Sequence, residues 1–360
     1  MFPIIVSGIV NVYLGYNTTS QFIKVSVGLL ASSSFFYYII RHYNFNIEHL
    51  FKVYMIFCVA VAVIGVIQLI GSIVRIGPLY NFRWIFNKWA VVSGGLKIRV
   101  NSIFSEPSYY ATTLAPCFFI SCLNVISKKA LFISKKWSWF VVLTYFLSFS
   151  SLGILAGFLT IFFILFRFGY ITQAILFVPL SLLAFILTYN FVPEFRDRFD
   201  SSIEIFFNDD FDRYSVHGSA FVLADNYQVA EKNLREHPFF GTGLGSHEIA
   251  FEKYSLTKQM FDIGLDGNAK DANSMFVRLM SETGLYGIIF MIIFLVRNFN
   301  GVKSALNEEM WAISTGCLIL ILIYLLRQGN YFYNGFPFFL WIYYYTNKIS
   351  KNAKSMANVS

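Results

Sequence analysis

Residues 171–191 read ITQAILFVPLSLLAFILTYNF, without a single charged side chain, and residues 193–214 read PEFRDRFDSSIEIFFNDDFDRY, with ten. The polar character continues to Ala272, after which a second apolar run, Met275–Val296, begins. The 80 residues 193–272 hold 15 of the chain's 20 Asp and Glu but only eight of its 28 Lys and Arg, a formal charge of −7. The remainder carries 20 basic against five acidic residues, +15. An acidic insertion between two apolar runs of membrane-crossing length is expected to stand in water, held at one face of a bilayer.

Working outward, the whole composition agrees. Of 360 residues 56% are hydrophobic and 13% charged, 42 are Phe, and the mean hydropathy is +0.58. Soluble domains carry roughly 25% charge, so the chain belongs among polytopic membrane proteins. Its pI near 9.1 does not call for nucleic acid, because segregation of charge by sign is what positive-inside topology and anionic lipid produce. Cys58, Cys117, Cys122 and Cys317 all lie in apolar runs, without metal or disulfide spacing, and read as small buried hydrophobes. Met1–Gly15 lacks a basic n-region and reads as a first span rather than a cleaved signal peptide.

Apolar runs predict about ten spans, at 3–16, 22–40, 50–73, 108–126, 131–149, 151–167, 170–191, 274–296, 309–326 and 331–346. The long run Trp137–Phe168 is divided at Ser148–Gly153, where Ser and Gly cluster. With ten spans, four basic groups fall on one side, which is then cytoplasmic: Arg41 with Lys52, Lys128/Lys129/Lys135/Lys136, Arg297 with Lys303, and Lys348/Lys351/Lys354. The expected organisation is seven spans over 1–192 with an outer-face loop at 74–107, an extracytoplasmic loop at 193–272, three spans over 273–346, and a cytoplasmic tail at 347–360. The fold class is thus an all-α integral membrane protein whose long loop carries short amphipathic helices. One is predicted from Ser219 to Glu236, lying along the membrane surface and stopped by His237-Pro238, and a second near Glu248–Met260.

Three polar clusters fall on the predicted outer face. Arg99 to Ala111, RVNSIFSEPSYYA, sets Glu106 and Pro107 at the entrance of a span, where Ser105 could cap and Glu106 fill the first turn, or Glu106 could act chemically. The second runs from Asp212-Arg213-Tyr214 to His237-Pro-Phe-Phe-Gly241-Thr-Gly243-Leu-Gly245. Alternate glycines let backbone N–H groups approach a phosphate, or serve as a hinge. The third is Asp271-Ala272-Asn273-Ser274 followed by Arg278, Glu282, Gly284 and Gly287. Arg278 and Glu282, four apart, read as a self-neutralising pair at the bilayer rim, and the glycines as sites of close helix packing. None of the five histidines has metal-ligand spacing, so neither metal nor cofactor is expected.

Taken together, RVNSIFSEPSYYA (99–111), SFSSLG (148–153), RY (213–214), HPFFGTGLG (237–245) and NSMFVRLMSETGLYG (273–287) resemble the O-antigen polymerase and O-antigen ligase family of bacterial membrane glycosyltransferases. Order, spacing and a long loop before the eighth span carry the likeness. The resemblance implies metal-independent, inverting glycosyl transfer at the outer face of the bacterial inner membrane. Undecaprenyl-pyrophosphate-linked oligosaccharides would be donor and acceptor, with a flippase and a chain-length regulator as further partners. By motif position Arg99 and Arg213 would hold the pyrophosphate, with Arg278 and Arg327 as weaker candidates. Many members carry a His before the Asn that opens the corresponding span. Here that slot is Ala272, which leaves Glu106 as the preferred carboxylate and Asp271 as its substitute. A repeat-unit polymerase is the first reading, a glycan ligase the second, and a flippase of lipid-linked sugar the third.

Overall fold

The computed structural model describes residues 2–86, 93–94, 97–170, 218–256, 267–301 and 304–357, with isolated positions (179, 182–183, 186, 189–191, 196 and 200) between them. Most of the seventh predicted span, the start of the insertion and Arg213 lie outside the described residues. What is described is helical, apart from a two-residue antiparallel ladder, β1 (Ser93–Gly94) with β2 (Lys97–Ile98).

Among the described residues, five helices are long and apolar enough to cross a membrane: α2 (Thr19–His42), α3 (Ile47–Ile73), α5 (Pro107–Ile126), α10 (Met275–Asn298) and α11 (Glu308–Arg327). The protein is therefore read as membrane-embedded. Four predicted spans take another form. α1 (Phe2–Tyr13) and α7 (Ser151–Arg167) are apolar but short. The run at 131–149 gives only α6 (Lys135–Tyr145) and a 3-10 turn, Phe146–Ser148, ended by left-handed Phe149 (φ 43°). The final helix α12 (Phe336–Ala357) carries Lys348, Lys351 and Lys354 on its last turns, so most of the predicted tail is helix. A single turn, α4 (Gly77–Tyr80), follows α3.

The chain divides into two compact units, Met1–Ala31 with Tyr170–Phe294 and Tyr324–Tyr331, and Ser32–Gly169 with Leu295–Ile323 and Phe332–Ser360. The second unit is built on α5, whose side chains are almost all buried. Pro116 interrupts the α5 ladder, and hydroxyls supply donors to the turn before it, Tyr54 to the Thr113 carbonyl (2.7 Å) and Tyr145 to the Ala111 carbonyl (2.8 Å). Gly316 of α11 lies against that proline, where a Cβ would meet Pro116 Cα at 3.2 Å.

In the first unit, α8 (Gly218–Glu236) starts and stops where periodicity places it, and α9 (His247–Tyr254) is shorter than the predicted second helix. Part of the apolar face of α8 is covered by protein. Val229 packs with Ala250, Phe251 and Ala269, and Ala230 with Ala272, Val277 and Met280. The partners of this amphipathic face are α9 and α10, so periodicity located the stripe but not its cover.

Candidate functional site

Two groups of polar residues emerge, one in each unit. In the second unit, the segment from Arg99 is held by Gln68, a fully buried amide in α3. Gln68 Oε1 accepts from the N–H groups of Asn101 (3.1 Å) and Ser102 (2.9 Å), and its Nε2 donates to Asn101 Oδ1 (2.7 Å). The Ser102 hydroxyl donates to the Val61 carbonyl at 2.8 Å. Arg99 Nε donates to the Ser148 carbonyl (3.3 Å) and the Val100 N–H to the Leu147 carbonyl (3.0 Å). Residues 99 and 100 thus lie on the break between α6 and α7, and residues 101 and 102 on α3. Gly153, at the start of α7, has Ala111 and Tyr145 within van der Waals contact of its open side.

The start of α5 differs from the expected cap. Glu106, not Ser105, is the N-cap residue, with Pro107 at the first helical position. Its carboxylate makes no cap hydrogen bond and instead accepts from the Ser108 hydroxyl at 2.8 Å. Asn101 Nδ2 donates to the Ser105 carbonyl. The carboxylate is therefore partly exposed and locally tethered, the state a group needs to act at a surface.

In the first unit, α10 is broken at Gly284 (φ 58°, ψ −154°), and residues 237–245 close the break. The Thr242 and Gly243 N–H groups donate to the Ser281 and Glu282 carbonyls at 3.2 and 2.8 Å. Across the break, the Leu285 and Tyr286 N–H groups donate to the Pro238 and Phe239 carbonyls at 2.9 and 3.0 Å. Gly241 packs so closely that a Cβ would meet Glu282 C and Ser281 O at 2.5 Å. All three loop glycines have positive φ, 59° at Gly241, 98° at Gly243 and 87° at Gly245. The glycines do permit close backbone approach, but to a broken helix. The N–H groups at 241–243 are spent on protein carbonyls, Gly241 on that of His237, and do not form a phosphate cradle. His237 itself stacks obliquely on Tyr16, ring centroids 4.3 Å apart.

Arg278 and Glu282 form the pair their spacing predicts, Nε to Oε1 at 2.8 Å, and are 3% and 0% exposed. Arg278 also donates to the Gly329 carbonyl (3.0 Å) and lies 4.2 Å over the Tyr331 ring, whose hydroxyl donates to Glu282 Oε2 (2.8 Å). The guanidinium is thereby committed to the interior. Asp271 Oδ1 accepts from the Asn273 N–H, while Ala272 and Asn273 are left-handed (φ 57° and 56°). The Asp271 carbonyl lies where a Cβ on Gly329 would be, so the 271–274 turn abuts the chain after α11. Arg327 is the last residue of α11 and is partly buried.

His247 is a titratable group that spacing could not single out. Asn226 donates to the Val222 and Gly267 carbonyls, which leaves Oδ1 facing the ring at 2.9 Å. Nε2 therefore carries the proton, and Nδ1 has no partner among the described residues. Burial first, and the nearby Arg278 charge second, pull the imidazole down to about 3. Gln68 and Tyr331 were missed as well. A lone amide in a predicted span was the available signal for Gln68, but Tyr331 looks like any other aromatic. No cluster with metal-ligating character occurs among the described residues.

No protein-family model matches the chain, and no curated protein matches it.

Proposed function

We propose that this protein is a polysaccharide polymerase, joining lipid-pyrophosphate-linked oligosaccharide units at the outer face of a bacterial inner membrane. The observation that carries the reading is the pairing of sequence segments far apart in the chain. Residues 99–100 lie on 147–148 where α6 gives way to α7, and residues 238–243 lie on 281–286 at the break in α10. These are four of the five segments on which the family resemblance rests. Irregular backbone at membrane depth is tolerated only where protein or a water-filled cavity surrounds it, and helix breaks of this kind concentrate function. In this reading ten spans place the insertion outside. Arg99 and Arg213 grip the pyrophosphate, and Glu106, with Asp271 as substitute, takes the proton of the acceptor hydroxyl. Fixed guanidiniums stabilise the leaving pyrophosphate without a metal. Arg278, neutralised by Glu282, orders the site rather than binding the donor.

Purified protein given lipid-linked repeat units in detergent should lengthen them. Arg213→Lys keeps the charge but loses the bidentate fork and should abolish most elongation. Arg213→Ala should cost about 3 kcal/mol of transition-state stabilisation, while Arg196→Ala, outside every motif, should leave elongation intact. Equal elongation by the two alanine variants would remove Arg213 from the site. The broken α10, with its buried ion pair, favours a second reading, transport of the lipid-linked sugar, since transporters use interrupted helices of this kind. Translocation across vesicles without any lengthening would select it.

A further inference from the structure

The insertion is acidic and polar, yet residues 238–245 carry no charge and expose two adjacent aromatic side chains, Phe239 at 68% and Phe240 at 51%. Five of their eight carbonyls accept from protein. The carbonyls of Pro238 and Phe239 cap Leu285 and Tyr286, and the Phe240 carbonyl accepts from the Ser7 hydroxyl (2.8 Å) and Asn11 Nδ2 (3.4 Å) of α1. The Leu244 carbonyl accepts from Asn17 Nδ2 at 2.8 Å, and the Gly243 carbonyl accepts from Ser246. Non-helical backbone paired with protein in this way can sit at membrane depth. With α10 read as a span that enters the membrane at Met275, the segment reaches below the membrane surface. Gly284 is nine residues along α10 from Met275, about 14 Å at the helical rise, within a hydrocarbon core about 30 Å thick. From Leu285 to Val296 the exposed side chains of α10, among them Leu285, Ile289 and Ile293, are apolar or aromatic, the face a span turns to lipid. The Phe240 ring meets Tyr286 on that face, centroids 5.4 Å apart.

We propose that residues 238–245 form a re-entrant segment of the insertion, with the Phe239 and Phe240 side chains in contact with bilayer hydrocarbon. An isolated exposed aromatic needs no explanation, but two that continue the lipid face of a span do. The inference rests on membrane placement of α10 alone and is independent of the enzymatic reading.

The test uses nitroxide labels on the full chain in phosphatidylcholine–phosphatidylglycerol vesicles. Labels are placed at Phe239→Cys and Phe240→Cys, with Ile289→Cys as the lipid reference and Lys232→Cys, exposed on α8, as the aqueous one. The unsubstituted protein, whose Cys58, Cys117 and Cys317 are buried and Cys122 partly so, is labelled in parallel as background. At both phenylalanine positions the ratio of oxygen to water-soluble nickel-chelate collisions should be several-fold above that at Lys232→Cys and near that at Ile289→Cys. Ratios at 239 and 240 equal to that at Lys232→Cys would overturn the proposal and leave the pair in water. Phe239 is so exposed that its replacement removes little packing, and monodisperse elution of that variant certifies that the ratio reports the folded protein.

Discussion

The neutral imidazole of His247 ties the stability of the first unit to pH. Its folded value, about 3, lies below the value near 6.5 of an unfolded chain, so between these limits the unfolded chain binds a proton that the folded one does not. Stability from this residue is complete above about pH 6.5 and falls as pH drops toward 3, by about 2 kcal/mol at pH 5. The thermal midpoint should fall between pH 7.5 and pH 5, and less steeply in His247→Gln. Equal slopes would place the acid sensitivity elsewhere. Arg278 offers a second test. Arg278→Ala strands the Glu282 carboxylate in the interior and should cost about 3–5 kcal/mol. Arg278→Met with Glu282→Gln removes both charges while leaving an acceptor for Tyr331, and should recover most of the loss in thermal unfolding. If the double variant is no more stable than Arg278→Ala, the uncompensated carboxylate was not the cause.

At the scale of elements, Gly284 and Gly157 make opposite predictions. Gly284 occupies a backbone region open essentially to glycine alone, and a Cβ there would meet the Pro238 carbonyl oxygen at 2.7 Å and Gly241 N at 2.8 Å. Gly284→Ala should therefore destabilise by several kcal/mol, adding collision to strain of roughly 1–3 kcal/mol. Gly157, inside α7, has nothing within 4 Å of its open side, so Gly157→Ala should be neutral or stabilise by up to about 1 kcal/mol. Melting of both variants in one detergent checks the contrast. Sequence alone located both glycines in apolar runs but could not separate their roles. A break requires a distant segment to supply donors and acceptors, and that segment lies some forty residues earlier. The α5 start was legible for a local reason, Pro107 at its first position, whereas the choice of Glu106 over Ser105 as cap depended on the Asn101 side chain taking the Ser105 carbonyl.

For the whole molecule, the proposed ten-span topology would put Lys128 and Lys354 on one side of the membrane and Lys232 on the other. Impermeant thiol reagents added to sealed vesicles should reach Lys128→Cys and Lys354→Cys from one side only, and Lys232→Cys only after the vesicles are opened or inverted. Labelling of all three from the same side would discard the topology. Helical class and membrane character were legible because apolar runs are local signals. The pairing of residues 99–100 with the α6–α7 break, and of 238–243 with α10, was not, because hydrogen bonds between distant segments leave no periodicity. Synthesis runs from the loop to the helix it later interrupts, and residues 238–243 leave the ribosome before Gly284 does. A continuous Met275–Asn298 helix would satisfy its own backbone while leaving the insertion machinery. The bend at Gly284 depends on the loop made before it, because residues 238–243 supply the partners for the Ser281, Glu282, Leu285 and Tyr286 backbone groups at the break.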